Sequence, residues 1–178
     1  MLLRRFTEAD AGPLAALYGD PRVMRFITVQ PPSLAEVESK ILPAYLREYR
    51  ELAAGLGSFA AVEKETGELA GRFSLKPANS YGLAGGAELG YRLYPAFWGR
   101  GLATEGARAL IGSAFERLLL DRVVATTMAD NAGSWRVLEK CGMRRVRTFR
   151  YPDADLMPGA EHGDFVYELT QGDWSRRD

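Results

Sequence analysis

The chain has a single cysteine, Cys141, and a single histidine, His162, among its 178 residues. One thiol cannot close an intramolecular disulfide, and one imidazole leaves no cluster at metal-ligand spacing, so neither a disulfide framework nor a bound metal is expected. Net charge is also missing, because 23 Lys and Arg balance 23 Asp and Glu. That removes the bulk electrostatic drive onto nucleic acid or an anionic membrane, and neither is expected as a partner. No uninterrupted apolar run approaches the roughly 20 residues that span a bilayer. The opening Met1-Leu2-Leu3-Arg4-Arg5 turns to charge at once, so no secretory signal is read and the cytoplasm is the expected compartment. There is no internal repeat and no low-complexity tract.

What is present is the composition of a globular protein, 47% hydrophobic and 26% charged, at a length that fits one domain over 1–178 burying about 70% of its unfolded surface. Period-2 and period-3.6 patterns alternate along it. Strands are expected at Leu2–Phe6, Ser58–Val62, Leu69–Leu75, Glu88–Tyr94, Arg122–Met128, Met143–Arg150 and Asp164–Thr170. Thr7-Glu8-Ala9-Asp10 starts a helix through Leu17, and Val23–Ile27 is a short helical or extended piece. Ser33-Leu34-Ala35-Glu36 is a capping box for a second helix to about Ala53. Leu102–Leu119 is the central helix, and Asn131–Lys140 is another, stopped by Gly142. Glu65-Thr66-Gly67-Glu68 makes a hairpin turn, 79–86 a glycine-rich loop, and Pro152, Pro158 and His162 stand in a second loop. The fold class is α+β, a mixed sheet of about seven strands with helices on both faces.

One stretch points to a ligand. Strand Glu88–Tyr94 gives way through Phe97-Trp98-Gly99-Arg100-Gly101-Leu102-Ala103-Thr104 to the central helix. Gly99 and Gly101 let backbone approach a ligand without a Cβ between, and the helix aims unpaired N–H groups and its positive dipole end at the same point. A phosphate or pyrophosphate is the natural occupant. No lysine lies in the stretch, which excludes a Walker A loop, and Thr104 stands where the dinucleotide fingerprint needs its third glycine. An ordinary strand-to-helix connection is the competing reading.

Trp98-Gly99-Arg100-Gly101-Leu102-Ala103-Thr104-Glu105, followed after a helix and a strand by Asn131-Ala132-Gly133-Ser134-Trp135-Arg136-Val137-Leu138-Glu139-Lys140-Cys141-Gly142-Met143, resembles the GNAT acyl-CoA N-acyltransferases, and most of all their RimJ/RimL-type branch. Leu3-Arg4, Tyr18-Gly19-Asp20-Pro21 and Val166-Tyr167-Glu168-Leu169-Thr170 sit as they do in that branch, so the likeness covers nearly the whole chain. In the family pattern Gln/Arg-x-x-Gly-x-Gly/Ala, Trp98 takes the first place here, a departure usual in the branch.

The resemblance implies acetyl-CoA as cosubstrate, with Trp98, Gly99, Arg100, Gly101, Leu102, Ala103 and Thr104 cradling its pyrophosphate. It implies a mostly antiparallel sheet, Asn131 on the pantetheine arm or thioester, and Ser134 placed to protonate the leaving thiolate. A backbone N–H between Leu89 and Leu93 would meet the oxyanion. The competing reading for Asn131 and Ser134 is a helix cap and first turn, and the two roles are compatible. Glu88 is the candidate base for the amine's proton, against the reading of a paired structural carboxylate on a sheet. An α-amine of pKa ~8 is already partly neutral at pH 7 whereas a lysine at ~10.4 is not, so weak evidence for a strong base favours α-amines.

Other readings are blander. Cys141 reads as a small buried residue at a helix end, where the dipole disfavours a thiolate. His162 reads as a solvated loop residue. Tyr91, Tyr94 and Trp98 are expected near the cofactor or core, and Trp135 in the acceptor channel or the core. The basic run of Arg136, Lys140, Arg144, Arg145, Arg147 and Arg150 reads as a solvated face. The expected activity is acetyl transfer to a primary amine, a protein N-terminus or a small molecule. A non-catalytic acyl-CoA- or peptide-binding module is the alternative. The acceptor's identity, the acyl length and the oligomeric state, with a homodimer among the open states, are not written in these residues.

Overall fold

The structure is a computed structural model that describes residues 1–28, 30–78, 85–150 and 158–176. Strand β1 (Leu2–Arg5) leads through a short 3-10 turn into α1 (Ala11–Gly19) and α2 (Pro21–Met24). Asp10 explains that start: its carboxylate accepts from the Thr7 N–H at 2.7 Å and binds both Arg4 Nη atoms at 2.8 Å. Then come α3 (Leu34–Glu36), α4 (Leu42–Glu51), the strands β2 (Gly57–Val62), β3 (Leu69–Pro77) and β4 (Ala87–Leu93), and α5 (Leu102–Glu116). Strand β5 (Arg122–Met128), α6 (Ala132–Lys140), β6 (Arg144–Phe149), β7 (Asp164–Thr170) and α7 (Gln171–Trp174) complete the chain.

The strands form one seven-stranded sheet in the order β1-β2-β3-β4-β5-β7-β6. Every neighbouring pair is antiparallel except β4 with β5, so the expected mixed, mostly antiparallel sheet is found. Alternation sorts side chains to two cores. Phe73, Leu75, Leu89 and Leu93 pack with Leu110, Ile111 and Ala114 of α5 and Leu138 of α6. On the opposite face, Ala60 and Val62 pack with Leu14, Tyr18, Val37 and Tyr45 from the early helices. Each large aliphatic side chain so buried contributes roughly 1.5–3 kcal/mol. Gly106, too late for a dinucleotide fingerprint, has a packing role instead: a Cβ there would lie 2.5 Å from Phe73 Cζ, so its absence brings α5 down onto β3.

Most element ends differ from the sequence expectation by one or two residues, and two differences are larger or have a visible cause. The helix expected from Ser33 to Ala53 does begin on its capping box, with Ser33 N–H donating to Glu36 and Glu36 N–H to Ser33 Oγ. It then passes through a π turn at Val37–Ile41 before α4. Pro43 has no N–H for the ordinary bond to residue 39, and the wider turn, with Leu42 N–H reaching Val37 O, accommodates it. Helix α5 stops at Glu116 instead of Leu119, whose φ of +53° is left-handed. Strand β6 is one residue shorter at each end than expected. Of the expected loop 79–86 only Gly85 and Gly86 are described, and Pro152 lies outside the described residues.

Candidate active site

Strands β4 and β5 pair only at Ala87↔Val123 and Glu88↔Val124. Beyond Glu88 they part, while β4 keeps its register with β3 as far as Gly71↔Leu93. The β5-facing edge of residues 89–93 therefore has no ladder partner among the described residues, which leaves backbone N–H groups available to a ligand. The gap opens a cavity of about 320 Å³ whose wall carries Glu88, Gly90, Tyr91, Thr126, Asn131 and Ser134. The strand carboxylate and both residues of the second motif thus meet in one place.

Glu88 is half-buried, and its Oε1 accepts from Thr126 Oγ1 at 3.3 Å. Lys76 stands opposite it in the register, but the Lys76 ammonium is paired with Glu48. Among the described residues Glu88 has no ion-pair partner, and its bond from Thr126 ties it to the neighbouring strand. Asn131 caps α6: its Oδ1 accepts from the Ser134 N–H at 3.2 Å. Ser134 Oγ lies 3.1 Å from Tyr91 Oη, which also donates to the Ser134 carbonyl at 2.9 Å. Burial raises the Tyr91 pKa well above the usual phenol value, only partly offset by its bond to Ser134, so the phenol keeps its single proton. With that proton on the carbonyl, the serine hydroxyl is the donor in the 3.1 Å contact.

The turn before α5 has the features of an anion cradle. Gly99 and Gly101 have φ of +72° and +78°, and a Cβ on either would meet nothing within 4 Å. The first bond into the helix is Glu105 N–H to Gly101 O at 3.0 Å, and the N–H groups of residues 101–104 donate to no described residue. These orphan donors at the positive end of a 15-residue helix suit a pyrophosphate of acetyl-CoA. The side chains around them are engaged elsewhere. Trp98, half exposed, donates from Nε1 to Leu93 O at 2.8 Å, pinning the turn to the end of β4. Arg100 pairs with Glu63, whose carboxyl it holds below the usual range, and stacks over Phe97 at 5.3 Å. Leu102 and Ala103 pack against the first core, and the Thr104 carbonyl accepts from the buried Cys141 thiol at 3.7 Å. The backbone, more than these side chains, is therefore what the turn offers a ligand.

Other residues named from sequence lie elsewhere. His162 is exposed, with Nδ1 2.8 Å from Asp130, and is not on the cavity wall. Trp135 packs at the edge of the first core under Arg136, 5.3 Å from the ring. Tyr94 ties β4 to α1 by donating to Pro13 O. In the basic run, Arg144 pairs with Asp173 and Arg145 stacks on Phe165 along the exposed strand β6. Some features of the cavity escaped the sequence, among them the Tyr91–Ser134 contact, Thr126 and the arginines Arg72 and Arg92. Tyr91 touches Ser134 although alternation puts it on the opposite sheet face from Glu88, because the parted strands let the cavity reach through the sheet. Thr126, the donor to Glu88, carried no signal beyond its place in a β-branched strand.

Comparison with known proteins agrees with this geometry. The family model described as acetyltransferase (GNAT) domain matches residues 1–144. A protein of Aspergillus fumigatus named FsC-acetyl coenzyme A-N(2)-transacetylase is 32% identical over 163 residues, 88% of this chain and 68% of that one. The putative ribosomal N-acetyltransferase YdaF of Bacillus subtilis is 30% identical over 149 residues, 84% of this chain and 77% of that one. The crystal structure of aminoglycoside acetyltransferase AAC(6')-Ib in complex with coenzyme A superposes with a TM-score of 0.75 over 98% of this chain and 97% of that one, at 20% identity. No helix among the described residues is long and apolar enough to cross a membrane. An open glycine turn beside two parting strands, on a chain whose first 144 residues match the family throughout, places this protein among the GNAT acetyltransferases, enzymes that take their acetyl group from acetyl-CoA.

Proposed function

We propose that the chain, acting as one domain, is an N-acetyltransferase that passes the acetyl group directly from acetyl-CoA to a primary amine within a ternary complex. The observation that carries this reading is the meeting of Glu88, Asn131 and Ser134 on the wall of one cavity beside the gap between β4 and β5. The amine nitrogen attacks the thioester carbonyl, a C–N bond forms, and the C–S bond breaks. Glu88 takes the proton the amine loses, and Ser134, held in place by Tyr91, passes one to the departing thiolate; solvent then returns a proton to Ser134 and accepts the one on Glu88, which restores both groups. The free edge of 89–93 supplies a backbone N–H to the tetrahedral oxyanion. The N–H groups of 101–104 and Asn131 hold the cosubstrate.

A RimJ/RimL-type acceptor, with the amine at a protein N-terminus or on a small molecule, is supported by the 30% likeness to a putative ribosomal N-acetyltransferase. It also suits the chemistry, since a single half-buried carboxylate is enough base for an α-amine of pKa ~8. The test is thiol release from acetyl-CoA across a panel of amines, including peptides with differing first residues, with the product identified by mass. Intersecting double-reciprocal lines and no acetyl-enzyme in the absence of amine are expected. A burst of free CoA without amine would refute direct transfer. Tight acetyl-CoA binding with no amine acetylated would make the chain a binding module.

A further inference from the structure

Strands β3 and β4 put two arginines directly opposite each other, Arg72 against Arg92. Like charges at such cross-strand positions destabilise a sheet, and here Arg72 is buried and Arg92 half-buried. Arg72 is 8% exposed. It stacks on Tyr45 at 5.2 Å, reaches Ser58 Oγ only at 3.4 Å, and keeps a buried Nε–H with no acceptor. Arg92 stacks on Tyr18 at 5.1 Å, and burial, with the charge of Arg72 adding to it, pulls its pKa down. Neither arginine has a carboxylate partner among the described residues. The nearby Glu48 pairs with Lys76 through Oε1 and leaves its buried Oε2 without a partner, and Glu88 bonds to Thr126.

These charges face the reaction. Both arginines line the same cavity as Glu88, and Arg92 also lines the adjoining cavity of about 490 Å³. Residues 88, 90 and 92 share one face of β4. Gly90 keeps that face open, since a Cβ there would lie 2.8 Å from Ser74 Oγ and 3.8 Å from Arg72 Nη1. The Arg72 guanidinium thus hangs beside Gly90, two residues or about 6.6 Å along the strand from Glu88. A buried guanidinium without a counter-ion is costly, and a carboxylate is the group its planar fork matches.

Taking the proposed amine transfer as its basis, we infer that the acceptor is an amino carboxylate, whose carboxylate is gripped by Arg72 and Arg92 while its amine, a few bonds away, reaches Glu88 and the thioester. The two arginines determine specificity by completing a charge pair that the free protein lacks. Polycationic amines are turned away by the same two charges. The carboxylate can belong to a free amino acid or to the side chain of an acidic first residue in a peptide, and the chemistry of the grip is the same.

The experiment uses the full chain with saturating acetyl-CoA and thiol release as the signal. Free amino acids are compared with their own carboxamides, and amidated dipeptides beginning with Asp are compared with those beginning with Ala. At least one acid is expected to exceed its matched neutral analogue about 100-fold or more in kcat/KM, although the amide's less basic amine biases the comparison the other way. A preference among free amino acids identifies those as the source, and a preference confined to Asp-first peptides identifies a protein terminus. Arg72→Gln and Arg92→Gln should each bring the ratio toward unity, chiefly through the acceptor's KM, while the melting temperature of the free protein holds or rises because a like-charge neighbour is gone. Amides and Ala-first peptides used as well as their acidic counterparts would overturn the inference, as would a ratio that survives both substitutions in folded protein. If no amine is acetylated, the transfer reading fails, and thermal shift decides the inference separately. A melting increase with the acids but not the amides, lost in both variants, upholds it, and no acid-specific increase overturns it.

Discussion

Ser134→Ala should lower kcat about 10- to 150-fold while leaving the dissociation constant of CoA within about twofold. The magnitude follows from the contact it removes. A hydrogen bond to a charged group contributes about 1.5–3 kcal/mol, each 1.36 kcal/mol is tenfold in rate, and the thiolate is charged only once the C–S bond breaks, so the loss falls on turnover. Tyr91→Phe should cost less. It removes one neutral phenol bond, roughly 1 kcal/mol or about fivefold, by freeing the serine that Oη holds at 3.1 Å. It also strips the Ser134 carbonyl of its 2.9 Å donor, which should lower the melting temperature by about 2–4 °C. Because Tyr91 works through Ser134, the double variant should be no slower than Ser134→Ala alone. Burial keeps the phenol protonated, so the Tyr91→Phe factor should be flat across neutral and mildly alkaline pH. The assay is steady-state thiol release at saturating substrates, with calorimetry for CoA and a melting curve for each variant. An unaltered kcat in Ser134→Ala would leave that residue a member of the α6 first turn and nothing more, and additive losses in the double variant would refute the positioning role of Tyr91.

Gly101→Val places a β-branched side chain at a φ of +78° and into the open space before the turn. Acetyl-CoA affinity should fall at least about tenfold, one or two kcal/mol of strain plus blocked N–H groups, and unchanged calorimetry would remove the cradle. Glu88→Gln keeps size and hydrogen bonding but removes the base. Its loss, on the order of 100-fold at low pH, should shrink as pH approaches the acceptor's own pKa, whereas a pH-independent loss would leave water as the proton acceptor. Burial pushes Tyr167 up to about 12, helped by its bond to Glu139, and raises Tyr45 and Tyr91 as well. A raised folded pKa gives stability that is whole below the unfolded value near 10 and lost as pH rises through the folded one. The urea midpoint should therefore hold from pH 8 to about 10 and fall beyond it, and a decline already complete by pH 9 would contradict this.

Local chemistry made much of this protein legible without a structure. The alternation of Glu88 to Leu93, the capping box at Ser33 and Glu36, the stop at Gly142 and the paired glycines at 99 and 101 each act within a few residues, through sterics and hydrogen bonds that the neighbours alone determine. Hence the seven strands, the central helix and the turn that opens it were all readable, and so was Asn131 as a cap. What the tertiary structure decided lies between residues far apart in the chain. Parting of β4 from β5 after Glu88 depends on how two strands joined through α5 sit in the sheet. Tyr91 meets Ser134 across 43 residues, and Arg72 faces Arg92 only because β3 and β4 pair in one particular register, which a slip of a single residue would send to opposite faces. Even the expected single helix after Ser33 passes through a π turn ahead of Pro43, whose missing N–H is local, while Val37 and Leu42 at that turn are buried in the second core. Short-range signals therefore named the elements, and long-range pairing alone turned them into a cavity lined by Glu88, Ser134, Arg72 and Arg92.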